Sequence, residues 1–284
     1  MKKIIVVAET GSDETKELAA KYDIELVPMH VTFGDKTVDD ATFPAERIPE
    51  YYHETGTLPK TSGCNPGDFV TLFERLDKEH PEAQILYLAY SAITTCSYQS
   101  AQIASVDRTN LVSIDTRQVS VGQGAVVIAV AKYLQENPDI SMDDLVAYAH
   151  QMIERARMCF IPDNLEFLKA GGRVSNVAYM GAMLLNLHPT IEILEGKLVA
   201  TKKYRGKMSR VCAKLLKEYT EQYNIDTKSP VYFVYTVGLS DEVKNAVKDA
   251  ANELGYEDIE WIQAHGVITT HGGPAAFGFA GFTK

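Results

Sequence analysis

Four segments of the chain gather hydroxyl groups beside residues that would end a strand or open a helix. They are Thr10-Gly11-Ser12, Pro59-Lys60-Thr61-Ser62-Gly63, Ser91-Ala92-Ile93-Thr94-Thr95-Cys96-Ser97 and Asp115-Thr116. A hydroxyl offers one proton and two lone pairs. With the unpaired N–H groups of a helix start, several hydroxyls make a site for a small anion. Taken singly, each is as readily a helix N-cap. As a set they describe a polar rim. His271 stands in Thr269-Thr270-His271-Gly272-Gly273-Pro274, where an imidazole could orient hydroxyls or donate to a carboxylate. A loop histidine is also commonly structural. Thr61, Ser62, Ser91, Thr94, Thr95 and His271 are therefore the candidates for holding an anionic head group, with no catalytic residue assigned.

Stronger chemical signatures are missing from the sequence. There is no GxxxxGK[ST] phosphate loop. Gly122-Gln123-Gly124 starts a dinucleotide-type pattern but lacks its third glycine and comes late in its α/β unit. GxSxG is absent, which weakens an acyl-hydrolase reading. An acyl hydrolase or transferase with a Ser/Thr nucleophile and His271 as base is kept as the alternative function. Cys64, Cys96, Cys159 and Cys212 form no CxxC pair, so no metal is expected and the thiols read as reduced. No cofactor is expected.

The 284 residues suit two units of about 130–150 residues each. A net charge of −10 argues against nucleic acid and against docking on an anionic leaflet. Any carboxylate site in so acidic a protein must supply its own donors. The opening MKKIIVVAETGSD has too short an apolar run for a signal peptide and reads as a strand. With no stretch near the ~20 apolar residues of a membrane span, a cytoplasmic protein without stable membrane insertion is expected.

The elements that must position these groups follow from periodicity. Strands are expected at Lys3–Ala8, Ile24–Phe33, Ile85–Ala89 and Leu111–Ile114. Helices are expected at Asp13–Tyr22 (capped by Ser12), Pro44–Glu54, Gly67–Lys78 (capped by Asn65, with Pro66 at its start), Ser97–Ser105 and Gly122–Gln135. This alternation implies a mostly parallel sheet flanked by helices, with ligands at the carboxyl ends of its strands. Beyond Asn137-Pro138 the texture changes. Helix Met142–Ala156 and strand Met158–Ile161 precede a helix at Leu165–Ala170 that stops at Gly171-Gly172. A hairpin spans Thr190–Leu194 and Lys197–Thr201. Helix Ser209–Gln222, strand Val231–Val237, helix Asp241–Leu254 and strand Ile259–Gln263 complete an α+β unit with a mixed or antiparallel sheet. The class is α/β with two domains, residues 1–155 and 156–284.

Two segments suggest an apolar ligand: Ala178–Leu187, rich in small residues, methionine and leucine, and Phe277–Phe282, which alternates aromatic and small residues. Small residues make room and methionine tolerates a flexible guest, although both patterns also suit an ordinary core. The run Lys202-Lys203-Tyr204-Arg205-Gly206-Lys207 is unusually basic for this chain.

Seven segments, in order, resemble the DegV family of bacterial fatty-acid-binding proteins. Val7–Asp13 (VAETGSD) is similar to TDSTxDL, with Glu9 where Asp is usual. Pro59–Phe69 (PKTSGCNPGDF) resembles PxTSQPSxxxF, with Gly63 and Cys64 in place of Gln-Pro. Ser91–Ala101 (SAITTCSYQSA) resembles SSxLSGTYQSA, with Ala92 and Cys96 as departures. Ser113–Gly124 resembles VIDSxxxSxGxG, and Leu165–Ser175 (LEFLKAGGRVS) resembles LxxLxKGGRIS. His188–Ile191 with Gly196 to Arg205 follows KPIxxxxxGxxxxxxKxR. Thr270–Gly278 (THGGPAAFG) is similar to THTGPGAxG.

The resemblance implies a carrier rather than an enzyme, with one long-chain fatty acid in a tunnel and its carboxylate at the domain interface. Thr61 and Thr95 match the carboxylate-binding hydroxyls, with Ser91 or Thr94 in support. Arg173 and His271 match residues near the head group. Arg205 matches a residue tied to phosphoryl transfer where such proteins present the fatty acid to a partner fatty acid kinase. Gly206 and Lys207 depart from the usual pair after that arginine.

Overall fold

The structure is a computed structural model and describes residues 2–172 and 187–284. Strand β1 (Ile4–Glu9) is buried along its whole length. Its side chains alternate between two cores. Ile4, Val6 and Ala8 enter one, and Ile5 and Val7 enter the other. A strand covered on both faces has no polar side to keep, so it reads as an unbroken apolar run.

Thr10–Ser12 form a single 3₁₀ turn, and α1 is Lys16–Lys21. Ser12 does not cap it. Its hydroxyl donates to the Glu9 carbonyl at 2.7 Å, and Thr15 accepts from Leu18 N–H instead. The expected strand Ile24–Phe33 is two strands in two sheets, β2 (Ile24–Val27) and β3 (His30–Phe33). Between them Pro28 has no N–H to give to a ladder, and Met29 N–H is taken by Thr10 Oγ1 at 3.0 Å.

β3 turns through Gly34-Asp35 into β4 (Lys36–Asp39). Helix α2 (Arg47–Thr55) leads to β5 (Lys60–Ser62), which pairs Thr61 with Val31 in a small antiparallel sheet ordered β4-β3-β5. Asn65 and Asp68 form a capping box on α3 (Pro66–Glu79), as the Asn-Pro start implies. β6 (Gln84–Ala89), α4 (Ser97–Ala104) and β7 (Leu111–Asp115) complete a parallel sheet ordered β2-β1-β6-β7.

Helix α5 (Ser120–Glu136) is buried through most of its length. It lies between two sheets, so it is apolar all round rather than on one stripe. Its residues share one core with β1, β6, and strands of the second sheet. After α6 (Met142–Arg155) come β8 (Ala156–Ile161) and α7 (Glu166–Gly171). β9 (Leu187–Leu194), β10 (Lys197–Arg205), α8 (Met208–Gln222), β11 (Val231–Tyr235), α9 (Asp241–Leu254), β12 (Ile259–Gln263), α10 (Gly266–Gly272) and β13 (Phe277–Phe282) follow.

The second large sheet is ordered β10-β9-β8-β13-β11-β12, with β11 and β12 parallel and its other pairs antiparallel. All its strands follow residue 155, and those of the other two sheets precede it. Its register brings the ends of β8, β10 and β11 to the edge where β9 and β13 begin. Phe277–Phe282 is thus a central strand. Phe279 and Phe282 pack into cores, while Phe277 and Gly278 also face a cavity. Among the described residues no helix is long and apolar enough to cross a membrane. Ala178–Leu187 falls outside the described residues except for Leu187, the first residue of β9.

Candidate functional site: an apolar cavity with a hydroxyl rim

A cavity of about 630 Å³ lies between the loops after β5 and β6 and the inner face of the mixed sheet. That volume is within the range of small-molecule sites. Met158, Phe160, Leu198, Val234, Ile268 and Phe277 make its walls apolar, and Thr61, Ser62, Thr94, Thr95 and His271 supply polar groups.

Thr61 is the middle residue of β5, and His271 sits in the last turn of α10. Thr61 Oγ1 and His271 Nε2 are 2.9 Å apart. The histidine expected in a loop is therefore on a helix, a seven-residue one too short to show periodicity. Its ring is seated by Gly171. A Cβ there would lie 2.5 Å from Nδ1, so only glycine lets α7 approach so closely. α7 is fixed in turn from the other half of the chain. Tyr52 OH donates to Glu166, and the Tyr52 ring packs on Phe167 at 5.2 Å.

The loop after β6 supplies Thr94 and Thr95. Thr94 Oγ1 donates to the Ser91 carbonyl at 2.9 Å. Thr95 Oγ1 lies 3.2 Å from Ser97 Oγ, and a Cβ on Gly63 would be only 2.1 Å from it. Ser91 lies elsewhere. It is fully buried, it does not line the cavity, and its hydroxyl donates to the Gly196 carbonyl at 2.7 Å. That bond pins the β9–β10 turn to the loop. Arg173 lies outside the described residues. Arg205 is exposed at the end of β10, on the same sheet edge from which β13 starts.

Beneath the rim lies a set of buried acids that motif reading did not single out. Glu9 accepts from Tyr87 OH, Tyr90 N–H and Gln123 Nε2, and so anchors the start of the loop after β6. Burial pushes its carboxyl up to about 7, against the pull of those donors. Asp13 accepts from Ser120 Oγ at 2.5 Å and from His265 N–H at 2.8 Å, which ties α5 to the start of α10. Burial raises Asp13 too, and His265 and the hydrogen bonds oppose it. Asp40, raised by burial, accepts from Val267 N–H at 3.0 Å. Among the described residues no His, Cys, Asp and Glu cluster is arranged to hold a metal ion. Glu9 was visible as a departure from a motif and Asp13 as a match within the same motif; Asp40 carried no signal beyond its charge.

Comparison with known proteins places this architecture. The family model described as "Uncharacterised protein, DegV family" matches residues 3–284. The chain belongs to the DegV family. A DegV domain-containing protein of Caldanaerobacter subterraneus is 29% identical over 285 residues, covering 98% of both chains. One from Deinococcus radiodurans is 27% identical over 281 residues, covering 98% of this chain and 97% of that one. Among solved structures, that of a DegV family protein from Thermus thermophilus, described as showing fatty acid binding, superposes with a TM-score of 0.89. It is 25% identical and covers 99% of this chain and 100% of its own. The Bacillus subtilis DegV structure has the same fold, with a TM-score of 0.84, 21% identity and full coverage of both chains. The α/β class and the pairing of a parallel with a mixed sheet are thus those of DegV structures. Within the DegV motif order, the departures Gly63, Cys64 and Cys96 all lie next to Thr95 or Ser97.

Proposed function

We propose that this chain binds one long-chain fatty acid and is a carrier rather than an enzyme. The carrying observation is the apolar cavity with Thr61, Thr95 and His271 on one polar rim. The acyl chain lies along the mixed sheet, and its carboxylate is held by Thr61 and Thr95, with His271 orienting Thr61. Ser62 and Thr94 flank that head group. Burying about 14–16 methylenes at ~0.8 kcal/mol each contributes roughly 11–13 kcal/mol gross. Association and ordering take back much of it. The head group adds selection rather than strength, because a desolvated carboxylate must find donors or lose several kcal/mol. The Thermus thermophilus relative, with its described fatty acid binding, supports the reading. Native mass spectrometry of protein offered palmitate or oleate tests it. A bound fatty acid is expected, and no added mass overturns it.

In this reading the chain divides near residue 155, the protein works in the cytoplasm with reduced thiols, and Arg205 belongs to a face that presents the head group to a fatty acid kinase. Arg173, which matches a family residue near the head group, is the other supporting residue of this reading. Arg205→Ala is expected to keep fatty acid binding and to stop acyl-phosphate formation by such a kinase. An unchanged rate removes Arg205 from that role.

A second reading rests on the Thr61–His271 pair, which has the geometry of a nucleophile beside its base. Hydrolysis of p-nitrophenyl palmitate that His271→Ala abolishes would put acyl transfer in place of carriage.

A further inference from the structure

Ser97 does not line the cavity, yet it decides what Thr95 can do there. Its side chain is fully buried at the start of α4. Ser97 Oγ accepts from Cys64 N–H at 3.0 Å. Among the described residues its further partners are Thr95 Oγ1, at 3.2 Å, and the Cys64 side chain. A hydroxyl carries one proton, and leaving it unplaced in a buried site is costly. A thiol sulfur is a weak acceptor beside a hydroxyl oxygen, so the Ser97 proton goes to Thr95 rather than to Cys64 Sγ. Thr95 Oγ1 also faces Ser97 N–H at 3.4 Å, so its lone pairs are engaged from below. Its own proton is left for the cavity, which Thr95 lines.

Space for this arrangement comes from Gly63. A Cβ there would stand 2.1 Å from Thr95 Oγ1 and 2.7 Å from Ser97 Oγ. A side chain at position 63 and the two hydroxyls cannot coexist in this geometry.

We propose that Ser97 is a positioning residue, the middle of a one-way hydrogen-bond relay from Cys64 N–H through Ser97 to Thr95 that fixes Thr95 as a donor to the ligand head group. This rests on the fatty acid reading and adds how the head group is chosen. A hydroxyl that accepts a hydrogen bond becomes a better donor, and a donor aimed at an ionised acceptor makes the strongest bond. The relay favours a carboxylate, which only accepts, over an alcohol of equal length, which can meet Thr95 in either sense. Chain burial is the same for both.

The test titrates wild type, Ser97→Ala and Ser97→Thr with palmitate and with hexadecanol, by displacement of a fluorescent fatty acid. Ser97→Ala is expected to weaken palmitate about three- to tenfold, the size of one polarised hydrogen bond. Hexadecanol is expected to stay within about twofold, as apolar burial is untouched. Ser97→Thr restores the preference. Equal weakening of both ligands, or no change in their ratio, overturns the relay while the fatty acid reading stands. Wild type that binds neither ligand, or shows no preference for palmitate, overturns that reading and the relay with it. Should Ser97→Ala not fold, Gly63→Ala is titrated in its place. It is expected to lose the same preference, because the new methyl displaces Thr95 Oγ1, and an intact preference overturns the relay.

Discussion

Thr61 and His271 are 210 residues apart in the chain, and their side chains meet at 2.9 Å on the rim of the cavity. One rides on a three-residue strand of the small sheet, the other on the helix before β13. Removing the hydroxyl takes away both a ligand donor and one partner of the imidazole. Thr61→Val is expected to weaken palmitate by about 1–3 kcal/mol, the cost of stranding a buried polar group, which is roughly 5- to 150-fold. Isothermal titration against wild type checks this. Melting temperature is expected to change little, since Thr61 is only half-buried.

Ser91 should behave in the opposite way. Its hydroxyl is spent on the Gly196 carbonyl. Ser91→Ala is expected to lower stability by about 0.5–1.5 kcal/mol, the usual net worth of one hydrogen bond, and to leave palmitate affinity within about twofold. Chemical denaturation and titration on the same preparation separate the two effects. A large loss of affinity without loss of stability would return Ser91 to the head-group set.

Leu198 lines the cavity from β10 and is only half-buried. A larger side chain there shortens the space without forcing a dense core apart. Leu198→Trp is expected to weaken octadecanoate more than dodecanoate, at about 0.8 kcal/mol for each methylene excluded. A series of acids of increasing length reads this as a change of slope. Equal weakening at every length would place Leu198 at the mouth rather than along the chain.

Glu14 is buried, and among the described residues neither of its carboxylate oxygens has a hydrogen-bond partner. Burial raises its carboxyl well above the ordinary 4.5, and Glu9 adds to the rise. The sign follows from proton counting. As pH rises past the ordinary carboxylate value the unfolded chain releases its proton and the folded chain keeps it, so stability falls. Glu9, at about 7, adds to the fall between 4.5 and 7. Glu14→Leu is expected to raise stability near pH 8 by about 1–3 kcal/mol and to have less effect near pH 4. Thermal melts across that range check it, and a gain independent of pH would contradict it.

The parallel sheet was legible because β1, β6 and α5 are mostly apolar where they are buried, Glu9, Ser120 and Gln123 being the polar exceptions in β1 and α5. Pro28 marked the break between β2 and β3, but the surrounding β-branched run hid it. β5 has three residues and no periodicity, so Thr61 looked like a loop residue. Its value came from motif order rather than from pattern. The helix under His271 was hidden for the same reason of length. Ser97 could not be chosen over its neighbours by sequence, because what sets it apart is a backbone N–H thirty-three positions away. Gly63 did leave a trace: it is a departure from the family motif, and the structure shows the oxygen that needs its missing side chain.

The shared core around α5 has a consequence for how the protein comes into being. Val121, Val126 and Val130 of this helix belong to the same packed cluster as Val6 and Leu86 on one side and Tyr232, Val234 and Phe282 on the other. Neither sheet can finish its hydrophobic face until the other arrives. Folding is therefore expected to be all-or-none across the whole chain despite the two sheets. The cavity, walled by the mixed sheet on one side and by loops of the parallel half on the other, then exists only once synthesis has passed β13, so a nascent or truncated chain has no place to hold a guest.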